Sequence, residues 1–353
     1  MAAINLHEKH SAKIAERFRV DSFLAGNTNN DYSFDGVKSV KISTIKTIPV
    51  TTYVRSGERR FGQITEVEDT VQTMTMTQEP SWTATIDEGN ASDQQYEKKA
   101  GKVMKMQSDE VTTPMADKYA LNVFAQNAGQ VAELANAPTK SNIVETIFNA
   151  STALDNALVP TTGRILYLKS SYYNLVRLSP EFIGVDKLAE KILSKGQVGQ
   201  IADMKVVKLP DNYMPANVHF MITHKKSVMM PFKLKTARIL SEVPGINGRL
   251  LEWYSYYDAF VIGAKANGVY VAVKTGTKTA TPTVSVSGGK ATITGNGTIW
   301  YTTDGSDPRY SASAAVYSAA VPVASGDTVS AYAVEDDKFK SDVASEVAEK
   351  ATA

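Results

Sequence analysis

The chain has 353 residues, 43% of them hydrophobic and 21% charged, a composition of ordinary globular domains that excludes a disordered or fibrous polymer. Its 38 basic residues nearly balance 37 acidic ones, so it lacks the net positive charge with which dedicated nucleic-acid binders attract phosphate. With no cysteine, disulfides and thiolate metal sites are excluded, and stability has to come from burial and association.

The first segment repeats Leu6, His10, Ile14 and Phe18 at fourfold spacing, the stripe of a short helix inside an N-terminal arm. It has no apolar run of signal-peptide length, and no later stretch is long enough to span a bilayer, so a soluble cytoplasmic product is expected. From Val40 to Arg55 the period drops to two, which predicts a strand, with Pro49 placing it at an edge or bulge. A second strand is expected from Glu66 to Gln78, and the glycine-bounded Gly57-Glu58-Arg59-Arg60-Phe61-Gly62 turns the chain between them. Threonines and charges stand where a packed sheet would place Val or Leu, so this hairpin cannot fold on a core of its own. About ten residues at about 3.3 Å each reach roughly 33 Å, enough to lie across a neighbouring subunit, although a hairpin that covers its own domain fits the same pattern.

Ser92-Asp93-Gln94-Gln95 matches a capping box ahead of a helix through Tyr96, Ala100, Val103 and Gln107. Pro114 interrupts that helix, and Thr113-Pro114 with Asp117 starts another through Tyr119, Val123 and Phe124 toward Val131, which together predict one long, kinked element. Ile143, Val144, Ile147, Phe148, Leu154 and Leu158 mark a further amphipathic helix ending at Pro160. Short β-type runs follow at 164–168, 204–209 and 218–222, and Trp253–Ile262 with Gly268–Val273 reads as the last strand pair of an α+β unit. Lys274–Pro282 is a polar, Thr-rich linker. Beyond it every run is strand-like and punctuated by Gly288-Gly289, Asn296-Gly297, Asp304-Gly305 and Gly326-Asp327, which predicts a small β-sandwich.

The chain contains no phosphate loop, nucleophile elbow or dinucleotide fingerprint, so no enzymatic activity and no cofactor are expected. His7 and His10 are the nearest thing to a metal pair but have no third ligand, and Asp304-Gly305-Ser306-Asp307 lacks the ligand spacing of a calcium loop and reads as a turn. Arg59 and Arg60 are flanked by Glu58, Glu66, Glu68 and Asp69, a mixed charge that suits a protein surface better than a polyanion.

The order of N-terminal arm, extended hairpin, long helix and mixed α+β region resembles the capsid fold of tailed bacteriophages and encapsulins, the Hong Kong 97-like fold. The resemblance covers roughly residues 1–274. It is carried by Arg59-Arg60-Phe61-Gly62, by Trp82–Asp87, Asp109–Tyr119 and Val159–Tyr167, by the Gly196–Ile201 loop, and by Tyr257-Asp258-Ala259-Phe260. Relatives often place a glycine where this chain has Ala202-Asp203. The resemblance implies an N-arm over about 1–39, an E-loop hairpin over 40–88, a spine helix and peripheral region over 92–135, and an axial domain with returning strands over 141–274. It further implies a non-catalytic major capsid protein forming pentamers and hexamers in an icosahedral shell around double-stranded DNA, with a portal and a separately encoded scaffolding protein as partners. In that reading Arg55, Glu58, Arg59, Arg60, Phe61, Glu66 and Glu68 are the intersubunit residues of the E-loop. No lysine lies between Lys46 and Lys98, so the covalent E-loop cross-link of some relatives is not expected.

After a linker over 275–281, residues 282–353 carry a separate resemblance. Ile299–Pro308 with Val329–Ala333 is similar to the C-terminal immunoglobulin-like domain of chitobiases, an accessory that brings no glycosidase activity with it. Nine acidic side chains oppose six basic ones between Lys278 and Lys350, which favours the outer face of a shell over the DNA side. Trp300 and Tyr310 are its candidate contacts to host-surface carbohydrate. An encapsulin-like shell and a carbohydrate-binding surface protein are the alternatives; a virion protein assembled in the host cytoplasm is the expectation.

Overall fold

The computed structural model describes residues 21–348 apart from 35–36, 49, 63, 65, 94–98, 181–198 and 242. The helical stripe at 6–18, the His7–His10 pair, Pro49, Gln94 and Gln95 of the capping box and the first half of the Gly196–Ile201 loop therefore lie outside the described residues.

The centre of the body is a six-stranded mixed sheet in the order β4 (Gln130–Leu134), β13 (Val269–Lys274), β8 (Val218–His224), β5 (Arg164–Lys169), β7 (Met204–Leu209), β6 (Gln200–Ile201). Both faces are covered, which explains why Ile165, Leu166, Tyr167 and Leu168 run apolar without alternation and are all buried. Ile165 and Tyr167 face one cluster, built on Ala120, Leu121, Phe124 and Ala125 of the long helix. Leu166 and Leu168 face the other, built on Ile143, Ile147, Ala150 and Leu154 of helix α4 (Ile143–Asn156) and Tyr173 and Val176 of α5 (Ser170–Arg177). Each such fully buried side chain stabilises the fold by roughly 1.5–3 kcal/mol.

The long helix is α2 (Ala100–Gln107), one π-helical stretch at Ser108–Thr112, and α3 (Thr113–Gln126), preceded by the short α1 (Glu88–Asp93). Pro114 sits in the first turn of α3, and the π-stretch absorbs the amide it cannot donate. The predicted kinked element is thus present, but it ends at Gln126, and Val131 belongs to β4. Ser92, expected as an N-cap, lies inside α1.

β1 (Ser39–Ile45) and β2 (Asp69–Thr75) pair antiparallel from Ser39↔Thr75 to Ile45↔Asp69. The strand expected to reach Arg55 stops at Ile45, because beyond Lys46 the described residues form no ladder. β3 (Ser81–Asp87), placed by resemblance within the hairpin region, instead pairs with β11 (Gly248–Tyr257), whose other neighbour is β10 (Phe232–Leu240). β9 (Val228–Met229) and β12 (Phe260–Val261) form a short ladder of their own. The expected last strand pair does not exist: β11 and β13 lie in different sheets, β13 running parallel to β4 and antiparallel to β8.

Ala202 and Asp203 form the two-residue turn between β6 and β7 with φ of 48° and 60°, the signs of a type I′ turn that favours Asn-Gly. The pair Ala202→Asn with Asp203→Gly should therefore raise stability by about 1 kcal/mol. A higher urea midpoint at unchanged slope is the expected result, and a lower midpoint would refute this account of the turn.

The C-terminal strands make two facing sheets, β14 (Thr283–Ser287), β15 (Lys290–Thr294) and β18 (Val321–Pro322) against β17 (Ala315–Val316), β16 (Thr298–Thr302), β19 (Thr328–Val334) and β20 (Ala344–Val347). Val284, Ala291 and Ile293 of one sheet meet Ile299, Val329, Ala331 and Ala333 of the other in a small core.

Candidate functional site

Two features stand out from this body: the loop at the end of the β1–β2 hairpin, and the seat of the C-terminal domain. The hairpin has two physically different halves. At its base, Val40, Ile42, Met74 and Met76 turn one face onto Phe34, Met229, Tyr256 and Ile262, so the expectation of a hairpin polar on both faces fails there. Thr77 is fixed beyond it, its amide and hydroxyl both donating to the buried Asp258 carboxylate at 2.8 and 2.9 Å. Tyr119 of α3 donates to the other carboxylate oxygen at 2.7 Å; burial and then this bond push its hydroxyl up to about 12. Asp258 thus pins the hairpin to the long helix, and the Tyr257–Phe260 phrase acquires a structural role.

Outward of Lys46 and Glu68, which pair at 2.9 Å, the loop carries exposed apolar side chains. Phe61 is 86% and Ile64 92% exposed, and Ile45, Ile48, Val50, Tyr53, Val54 and Val67 are exposed with them. Arg55, Glu58, Arg59, Arg60, Glu66 and Glu68 are exposed on the same loop. It is not shapeless: Val54 N–H donates to the Arg60 carbonyl at 2.9 Å, Thr51 Oγ1 to the Phe61 carbonyl at 3.1 Å, and the Tyr53 and Phe61 rings meet edge to face at 4.9 Å. Gly62, at φ 94°, sits where a Cβ would come within 2.7 Å of Thr51 Oγ1. A loop this apolar, held open by its own hydrogen bonds, is built to be covered. The seven residues that the resemblance assigns to the E-loop interface lie exposed here, and sequence reading missed the apolar set beside Phe61, assigning Ile48, Val50 and Val54 to a strand.

The C-terminal domain is docked on the body. Residues 275–281, expected to be a linker, are tied down: the Thr277 and Lys278 amides both donate to Glu133 Oε1 at 3.0 Å, Lys278 Nζ to the Val131 carbonyl at 2.8 Å, the Thr279 amide to the Phe339 carbonyl at 2.9 Å, and the Phe339 amide to the Thr277 carbonyl at 2.7 Å. Phe339 is buried in the same cluster as Phe124, and Tyr310 packs against it. Tyr310, expected to reach a sugar, donates its hydroxyl to the Asn127 carbonyl at 2.8 Å, and burial pushes its pKa upward. Trp300 is half-buried, paired in register with Tyr332 and Val316. Asp304 accepts the Ser306 amide at 2.9 Å and the Ser313 hydroxyl at 2.9 Å, which fixes the expected turn. Burial of Asp304 works against ionisation, and these hydrogen bonds outweigh it, so its pKa is lowered.

A family model described as Fn3 associated matches residues 291–348. Comparison with curated proteins gives no match. Among solved structures, one of Mycobacterium phage Che8 superposes with a TM-score of 0.65 at 18% identity, over 76% of this chain and 96% of that one. The capsid structure of the cyanophage P-SCSP1u gives 0.65 at 10% identity, over 76% and 92%. The mature capsid of bacteriophage PhiM1 gives 0.62 at 12% identity, over 77% and 93%. Over about three quarters of its length, the chain has the fold seen in these phage structures.

Proposed function

We propose that the chain is a non-catalytic, shell-building subunit, the major capsid protein of a tailed phage with a Hong Kong 97-like body and a C-terminal immunoglobulin-like domain. The observation that carries this reading is the likeness to solved phage capsid structures, which spans nearly their whole chains. The exposed apolar loop supports it independently, since a surface of this kind needs a partner. Pentamers and hexamers closing into an icosahedral head around double-stranded DNA, with a portal and a separate scaffold as partners, are the assembly this reading implies. Arg55, Glu58, Arg59, Arg60, Glu66 and Glu68 then set the orientation of the loop on a neighbouring copy, while Phe61, Ile64 and Val50 supply the area. The acidic excess of the C-terminal domain favours its placement on the outer side of the shell. A carbohydrate-binding role loses its main support with Tyr310 at an internal contact.

Negative-stain microscopy of the expressed chain tests the reading, with closed shells as the expected result. The double variant Phe61→Asp with Ile64→Asp should leave circular dichroism unchanged, because both side chains lie outside the hydrophobic core and Phe61 packs on the exposed Tyr53 ring, and should abolish closed shells. Normal shells from that variant would remove the loop from the assembly interface.

A further inference from the structure

Contacts of the C-terminal domain with the body include two sets, one just past the end of the long helix and one along the outer half of the β1–β2 ladder. At the helix end, Arg309 Nη1 donates to the Gly129 carbonyl at 3.1 Å, Tyr310 Oη to the Asn127 carbonyl at 2.8 Å, and Lys340 Nζ to Asn127 Oδ1 at 2.7 Å. Asn127 is the residue that ends the helix, and its carbonyl, which carries partial negative charge, accepts the Tyr310 hydroxyl, while the two cations bind its side-chain oxygen and the Gly129 carbonyl just beyond it. Asp307 holds Arg309 in place, at 2.8 Å from Nη2. At the hairpin, the Ala312 amide donates to the Val71 carbonyl of β2 at 2.8 Å, and Lys46 Nζ donates to the Asp304 carbonyl. Between the two, Gln72 of β2 accepts the Gly263 amide at 2.7 Å and donates to the Val261 carbonyl at 2.9 Å, and a Cβ on Gly263 would lie 2.6 Å from that of Tyr310. Segment 304–312 therefore spans from helix end to hairpin with little slack.

We infer that the C-terminal domain is a brace that couples the end of the long helix to the hairpin and sets the angle at which the hairpin leaves the body. Without it β2 would present an unpaired edge at Val71, and the hairpin would be held by its apolar base, by Asp258 and by Gln72. The consequence for assembly rests on the hairpin being the arm that meets a neighbour. The coupling itself does not, and it can be measured on unassembled chains.

The experiment is hydrogen exchange by mass spectrometry on the full-length protein and on Arg309→Ala with Tyr310→Phe, which removes the bonds to Gly129 and Asn127 together with the Arg309–Asp307 pair and touches no residue of the hairpin. Amides at 44–46 and 68–72 should exchange at least about tenfold faster, while those of β5 and β8 keep their wild-type rates. Unchanged exchange in the hairpin, whether or not 304–312 loosens, would overturn the inference, because a cap with a merely local role leaves the hairpin as it was. Should β5 and β8 also open, the reciprocal variant Lys46→Met decides: it should speed exchange across 304–312, and wild-type rates there would count against the brace. A brace demonstrated in chains that build no shell would leave the coupling standing and sink the assembly reading instead.

Discussion

Gly129→Ala is expected to cost about 3–4 kcal/mol and to lower the urea midpoint accordingly. A Cβ at this position would lie 2.3 Å from the Ala266 carbonyl carbon, 2.4 Å from its oxygen and 2.6 Å from the Asn267 nitrogen. All three are backbone atoms, which cannot rotate away. Relief requires the start of β4 to separate from the 263–268 turn, which breaks the Gly129 to Ala266 hydrogen bond and moves the carbonyl that receives Arg309. Gly101→Ala is the control, since nothing lies within 4 Å of its Cβ and it lies in the first turn of α2. That substitution should stabilise by up to about 1 kcal/mol. Equal and small effects at both glycines would show that the 129–266 approach is looser than these distances.

The same closeness marks where sequence stops being informative. Elements whose identity depends on local periodicity were legible: α4 from its apolar stripe, the kinked helix from Thr113-Pro114, and β5, β7 and β8 from short apolar runs. What failed depends on partners far along the chain. β3 reads as hairpin because its neighbours in sequence are hairpin, yet it pairs with residues 248–254. β10 escaped notice because a register shift between Phe232 and Leu234 breaks its alternation and most of its residues are exposed. The threonine-rich stretch at 275–281 has the composition of a free linker, and only Glu133 and Phe339, reached through the fold, turn it into a fixed strap.

The candidate site divides along the same line. Exposure of Arg59, Arg60 and Phe61 follows from a glycine-bounded turn with mixed charge, and was accessible to sequence. Tyr310 was not: an aromatic beside Asp-Pro-Arg in a turn looks like a surface contact, and nothing local says that Asn127 stands opposite it. An exposed apolar loop also violates the pattern on which sequence reading relies, in which such residues mark a core. Ile48, Val50 and Val54 were accordingly assigned to a sheet that does not extend to them. Under the proposed function this violation is what leaves the loop available to a second copy of the chain.

The docked domain should respond to alkaline pH through Lys340. Burial, with Arg309 nearby, lowers its pKa from 10.5 to about 8, while Asp307 acts in the opposite direction. Tyr332 lies under its ammonium at 5.8 Å, and Asn127 Oδ1 accepts from it. The unfolded chain keeps this proton until pH approaches 10.5, whereas the folded chain releases it near 8. Between those values the unfolded state binds more protons, so stability contributed at this site rises with pH by about 1.4 kcal/mol per unit. Below pH 8 both states are protonated and the dependence vanishes. Above pH 10 the trend reverses, because the Tyr332 hydroxyl, pushed up to about 12 chiefly by burial, stays protonated in the folded chain while it ionises in the unfolded one. Stability of the full-length protein, compared with Lys340→Met, should therefore gain on the order of 2 kcal/mol from pH 8 to 10. Methionine keeps most of the apolar stem and removes the ammonium with its bond to Asn127, so a constant offset between the two proteins reports the lost contacts and the difference in slope reports the titration. Parallel pH profiles for the two proteins would mean that Lys340 remains solvated at the seat of the domain, and that the helix end is capped by Arg309 and Tyr310 without it.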